Sequence, residues 1–160
     1  MSIENKNPIR KFTFREKLFA QFTYNAGVMI AAYGLYLNNA SFGIGYLIGS
    51  YVGILLLIRY TICPRCPHLH VVNDCVNLPA PIMKKIISPK RNGSLSIYEK
   101  SLFIIVLYGT FIVPIYWLSS NIVILAAFLI LYGGHLLSLR LHFCKNCKNK
   151  DCIQYKTAEI

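Results

Sequence analysis

The chain has 160 residues, 55% hydrophobic and 14% charged, with 17 Lys and Arg against six Asp and Glu and a net charge of +11. Soluble domains carry about 25% charged residues, so this composition and its long apolar runs disfavour a water-soluble globule. The basic surplus needs no nucleic acid to explain it, because a juxtamembrane basic face attracts anionic lipid and fixes orientation.

Residues 1–17 are polar and basic and lack the apolar core and small-residue cleavage site of a signal peptide. They are expected to form a cytoplasmic N-terminal segment. Four apolar stretches follow, from about Leu18 to Leu37, Phe42 to Ile58, Leu102 to Leu118 and Ile122 to Leu139. Each approaches the roughly 20 residues that cross a hydrocarbon core. Backbone groups in lipid bond within their own segment, so each span is expected to be helical.

Asn38-Asn39-Ala40-Ser41 joins the first two stretches and Ser119-Ser120-Asn121 the last two. These tight turns predict two antiparallel hairpins, over residues 18–62 and 102–140. The N-terminus, the loop 63–101 and the tail 141–160 then share one side. All 17 Lys and Arg fall in those segments or at the helix ends facing them, and the two short turns have none. By the positive-inside rule that side is the cytoplasm.

Within the spans, Gly45, Gly49 and Gly53 share one helix face, a spacing that predicts close helix approach. Gly134 and Ser138 repeat it more weakly. Pro114 is expected to kink the third span. Tyr116 and Trp117 suit the headgroup boundary at its outer end. His135 and Asn25 are expected to bond neighbouring helices, with haem or quinone contact at His135 the sharper alternative.

The sequence also repeats itself. Glu16-Lys17, a hairpin, Arg59-Tyr60-Thr61-Ile62-Cys63-Pro64-Arg65-Cys66 and Asp74-Cys75 are matched by Glu99-Lys100, a hairpin, Arg140-Leu141-His142-Phe143-Cys144-Lys145-Asn146-Cys147 and Asp151-Cys152. The predicted fold is therefore an all-α integral membrane four-helix bundle built from two duplicated hairpins. Its pseudo-two-fold axis runs along the membrane normal, and a small cysteine-rich cap sits on the cytoplasmic face.

The six cysteines, Cys63, Cys66, Cys75, Cys144, Cys147 and Cys152, all lie outside the predicted spans. Cytosolic thiols stay reduced, so clustered cysteines point to metal or redox chemistry rather than structural disulfides. A C-x2-C turn aims two sulfurs at one ion, and zinc takes four N or S ligands. Thiolates equally hold iron–sulfur clusters, and spacing does not separate the two. His68 and His70 are available to the first cluster and His142 to the second. Asp74 and Asp151 suit a turn or cap, or the support of a histidine ligand.

Three functions fit these residues. One is a membrane metalloprotein relaying electrons, handling metal or serving a membrane complex or homodimer. Another is a zinc-clamped scaffold without chemistry. The last is a thiol–disulfide oxidoreductase using a C-x2-C pair, with Arg59, Arg65 or Arg140 activating a thiol. The helix count resembles that of four-helix membrane enzymes passing electrons between thiols and quinones, but those place their cysteines on the oxidising side. Residues 79–93, with Lys84 and Lys85 among Ile82, Met83 and Ile86, suit a short amphipathic helix on anionic lipid.

Overall fold

The structure is a computed structural model that describes residues 10–87, 89–91, 93 and 95–144. Every element among them is helical. In chain order these are α1 (Phe14–Asn38), α2 (Ala40–Leu56), a π-helical turn (Leu57–Ile62), a 3-10 turn (Cys63–Arg65), α3 (Pro67–His70), α4 (Ala80–Ile86), α5 (Ile97–Leu118) and α6 (Ile122–Phe128). A π-helical turn (Leu129–Gly133), α7 (Gly134–Ser138) and a last π-helical turn (Leu139–Cys144) continue α6 without a break.

Three helices are long and apolar enough to cross a membrane: Ala40–Arg65, Ile97–Leu118 and Ile122–Cys144, of 26, 22 and 23 residues. At 1.5 Å per residue the first is about 39 Å long. It therefore outruns a hydrocarbon core of about 30 Å and can carry Cys63 beyond it.

The helix ends are set by local chemistry. Thr13 and Glu16 form a capping box at the start of α1, and Ser96 and Glu99 form one at the start of α5. Each satisfies two of the backbone N–H groups that a helix start leaves open. Asn39 and Asn121 cap the second helix of each hairpin through their side chains.

α1 differs from the three long apolar helices. Arg15, Glu16, Lys17, Gln21 and Asn25 dilute its N-terminal half. Its buried residues are mostly small: Ala20, Thr23, Gly27, Val28, Ala31, Ala32, Gly34 and Leu35. The cause is packing, since α1 lies against α2, α5 and the α6–π–α7 helix. Its outward residues remain large and apolar, including Phe22, Met29, Tyr33 and Leu37. The main core joins Val28, Ala31, Leu118, Phe128 and Tyr132.

The close approaches fall at other glycines than the spacing predicts. A Cβ at Gly53 would meet Val106 at 2.9 Å, as expected, but Gly45, Gly49 and Gly134 face open space. The stripe is therefore packed only at its Gly53 end, while Gly45 and Gly49 lie on exposed surface and α2 buries Gly43 and Ser50 instead. The tight contacts instead involve α1, where a Cβ at Gly27 would meet that of Tyr132 at 2.9 Å. α5 runs as one helix through Pro114. At its C-terminal end Trp117 packs on Tyr116 and on Phe42, with ring centroids 5.2 and 5.7 Å apart.

Several polar groups pair across helices, although the buried hydroxyls of Ser50 and Thr61 have no partner among the described residues. Thr23 Oγ1 lies 3.1 Å from His135 Nδ1, and the Tyr51 hydroxyl donates to Asn25 Oδ1 at 2.7 Å. Both residues thus bond a neighbouring helix. The Tyr46 hydroxyl donates to the Thr110 carbonyl at 2.7 Å, and Thr110 Oγ1 meets the Tyr132 hydroxyl at 2.7 Å.

Candidate functional site

The second apolar core lies at the end of the helix Ala40–Arg65. It contains Ile58, Cys63, Leu69, Cys75, Ala80 and Met83, with Cys66 packed against it. The sequence explains its shape. Pro64 and Pro67 break the helix into two short turns that carry Cys63, Cys66 and His68. Pro79 and Pro81 then start α4, which buries Ala80 and Met83 and leaves Ile82, Lys84 and Lys85 outside. The apolar side of α4 is thus spent on the cap.

All three cysteines of the first cluster are brought together here. Cys63 and Cys75 are buried in this core and Cys66 is partly buried against it. The Cys63 thiol and the N–H groups of Leu78 and Asn77 are the neighbours that favour the Cys75 thiolate. Cys63 outweighs the opposing cost of burial, and together with the N–H groups holds the Cys75 thiol below its ordinary range.

The arginine of the motif does not serve the thiols. Arg65 donates to both carboxylate oxygens of Glu99, at 3.0 and 3.1 Å, and to the Gly93 carbonyl at 3.1 Å. Arg91 joins Glu99 at 3.1 Å, and its N–H donates to the Pro64 carbonyl. The loop thereby closes over the C-P-R-C turn.

The two histidines of α3 diverge. Nε2 of His70 lies 3.2 and 3.1 Å from the carbonyls of Cys63 and Pro64. As carbonyls only accept, this nitrogen carries the proton and clamps the turn. The ring of His68 is 2% exposed and stacks on Phe12 at 4.5 Å. Neither of its nitrogens has a hydrogen-bond partner; the Arg10 carbonyl lies nearby, outside bonding geometry. Burial pushes its pKa down and favours the neutral ring, against the pull of the Asp74 charge. Arg10, Phe12, Glu16 and His68 line a shallow cleft.

Asp74 turns out to be an anchor. Its carboxylate accepts the Phe12 N–H at 2.7 Å and pairs with Lys17, while its own N–H donates to the His68 carbonyl at 2.9 Å. Burial opposes its charge, but Lys17 and the N–H groups of Phe12 and Cys75 outweigh this and keep its pKa below the ordinary value. Gln21 adds bonds to the carbonyls of Val76 and Asn77. The first turns of α1 therefore hold the loop that carries Cys75. The sequence marked Lys17 only as part of the repeat and did not single out Gln21, whose i, i+4 spacing from Lys17 on a basic helix start was the available signal.

In the second cluster, His142 Nε2 meets Glu16 Oε1 at 2.7 Å, and Phe143 is buried 5.5 Å from Phe12, ring to ring. Phe12 therefore touches the first cluster through His68 and the second through Phe143. Cys144 is half-buried at the end of the last π-helical turn. Cys147, Asp151 and Cys152 lie outside the described residues. Among the described residues, no group of three or more His, Cys, Asp or Glu side chains is arranged to hold a metal ion.

No protein-family model, curated protein or solved structure matches this chain significantly.

Proposed function

We propose that this is an integral membrane metalloprotein whose cytoplasmic cap holds a thiolate centre, either zinc or iron–sulfur. It would serve a membrane complex as an electron relay, a metal-handling component or an accessory subunit. The observation that carries the reading is the gathering of Cys63 and Cys66, from one turn, and Cys75, from the following loop, at one apolar core at the end of a membrane-length helix. N–H groups directed at a sulfur favour its thiolate, the form that binds metal. The orphaned, neutral His68 ring is a further available ligand, whereas His70 is committed to backbone carbonyls. Cys144, Cys147, Cys152 and His142 would supply the second cluster.

We further read α1 as a fourth span and the chain as a duplication. The outward face of α1 is apolar over its middle and C-terminal turns, as a lipid-facing surface would be. Three paired features support the duplication: the capping boxes at Thr13 and Ser96, the asparagine caps at Asn39 and Asn121, and the π-helical turns that carry Arg59 and Arg140. With four spans, the basic segments and both clusters share the cytoplasmic face of the cell membrane, beside anionic lipid.

Elemental analysis and a visible spectrum of protein purified anaerobically in detergent test the metal reading. Iron with acid-labile sulfide and a brown colour makes the centre a relay, and colourless zinc makes it a handling or structural site. Protein that is folded and metal-free, even after incubation with zinc or with iron and sulfide, would overturn it.

A further inference from the structure

We infer that residues Arg10 to Phe12 form a lid over His68, and that the lid lifts when the cap takes up a metal ion. This rests on the metal-binding function proposed for the cap and assigns its regulation to the N-terminal strap. Nδ1 and Nε2 of His68 are buried, and neither has a hydrogen-bond partner among the described residues. A ring kept only for packing would lose nothing by being apolar, and a buried polar group left unpaired calls for a cause. His70 shows the contrast, because the Cys63 and Pro64 carbonyls satisfy its Nε2.

Phe12 covers His68. The two rings stack with centroids 4.5 Å and planes 23° apart, and His68 is left 2% exposed. With both nitrogens buried, a ligand reaches them only if something moves, and the strap is lightly held. Phe12 is fastened by its N–H to Asp74 at 2.7 Å and by ring contacts with His68 and Phe143. Arg10 adds an exposed ion pair to Glu16. The capping box fixes Thr13, so the hinge lies just before it. The shallow cleft lined by Arg10, Phe12, Glu16 and His68 is the seam along which the strap parts from the cap.

The cap survives the opening. Asp74 keeps its ion pair with Lys17, and its N–H still donates to the His68 carbonyl. Lifting the lid therefore gives up one backbone hydrogen bond, the ion pair of Arg10 and the ring contacts, and frees two stranded nitrogens. Lid and ligand compete for the same ring, so loading should loosen residues 10–12 rather than order them, and removing the Phe12 ring should favour loading.

The test compares full-length protein in detergent as purified, after chelation and after incubation with zinc, with metal counted on each sample. Hydrogen–deuterium exchange resolved to the Phe12 amide follows the lid, and labelling of histidines by diethyl pyrocarbonate follows the ring. In metal-free wild type, His68 should label far more slowly than His142, whose side chain is 49% exposed. Phe12→Ala should speed the labelling of His68 and leave His70 unchanged. In metal-bearing wild type the Phe12 amide should exchange about tenfold faster than in metal-free protein, within the usual range of coupling between two sites, while His68 stays unlabelled. A Phe12 amide equally or better protected in metal-bearing protein would overturn the inference and leave the metal reading standing. So would labelling of His68 in metal-bearing protein, or labelling as fast as that of His142 in metal-free wild type. Protein that holds no metal in any preparation defeats the metal reading, and the inference with it. The wild-type measurements decide even if Phe12→Ala does not fold.

Discussion

Arg65 reaches from the end of one membrane-length helix to Glu99 at the start of another, and truncating either residue should loosen the cap. The side chains are 10% and 12% exposed, and the guanidinium makes two parallel bonds at 3.0 and 3.1 Å. Removing one partner of a fully buried pair costs about 3–5 kcal/mol, whereas exposed pairs contribute about 0–1 kcal/mol. With roughly a tenth of each side chain open to water, a coupling of about 2 kcal/mol is expected between these limits. For a chain of this size, that is about 4–8 °C in melting temperature. The assay is a double-mutant cycle, Arg65→Ala, Glu99→Ala and both, followed by thermal unfolding in detergent. Glu99→Ala should be the worse single change, because Glu99 also closes the capping box with Ser96 and accepts from Arg91. Single losses that simply add in the double variant would refute the argument.

Other consequences are independent of this pair. Gly27→Val should destabilise by about 1–3 kcal/mol through overpacking against Tyr132, whereas Gly49→Val, facing open space, should leave the thermal stability of the monomer unchanged. His68→Phe reads the state of the orphaned ring. In metal-free protein it removes two unsatisfied nitrogens and should be neutral or stabilising, while in metal-loaded protein a loss of bound metal would identify His68 as a ligand. The Glu16 carboxyl is held down at about pH 2 against an ordinary 4.5, first by His142 and then by the Thr13 N–H. A depressed carboxyl stabilises the fold above its ordinary value and loses that contribution as pH falls. Melting of wild type should therefore drop relative to Glu16→Gln between pH 4.5 and 2, and parallel profiles would contradict the pairing.

The three most apolar helices were legible because length and hydropathy along the chain are what make a helix fit to cross a membrane. α1 was less so, since its buried face packs on protein and is built from Ala, Gly and Thr. The placing of Cys63 and Cys66 follows from the prolines beside them, but the arrival of Cys75 does not. C-x2-C spacing groups Cys63 with Cys66, whereas Cys75 reaches the same core on a loop that Asp74 anchors to Phe12 and Lys17. His68 and His70 look equivalent in Pro67-His68-Leu69-His70, yet two residues of helical turn send one to backbone carbonyls and the other onto Phe12. Contacts such as Lys17 with Asp74 join segments far apart in the chain and leave no local pattern. The glycine stripe misled for a related reason: spacing identifies a face without saying what covers it.

The account depends most on the N-terminal segment lying on the same side of the membrane as the two cysteine clusters, which requires α1 to cross it. Reporters fused in turn to the N-terminus and the C-terminus, active only on one side, measure this in intact cells. Four spans predict that both reporters are cytoplasmic. Reporters on opposite sides would mean three spans, would separate the N-terminal segment from both clusters, and would contradict a cap built with the first turns of α1.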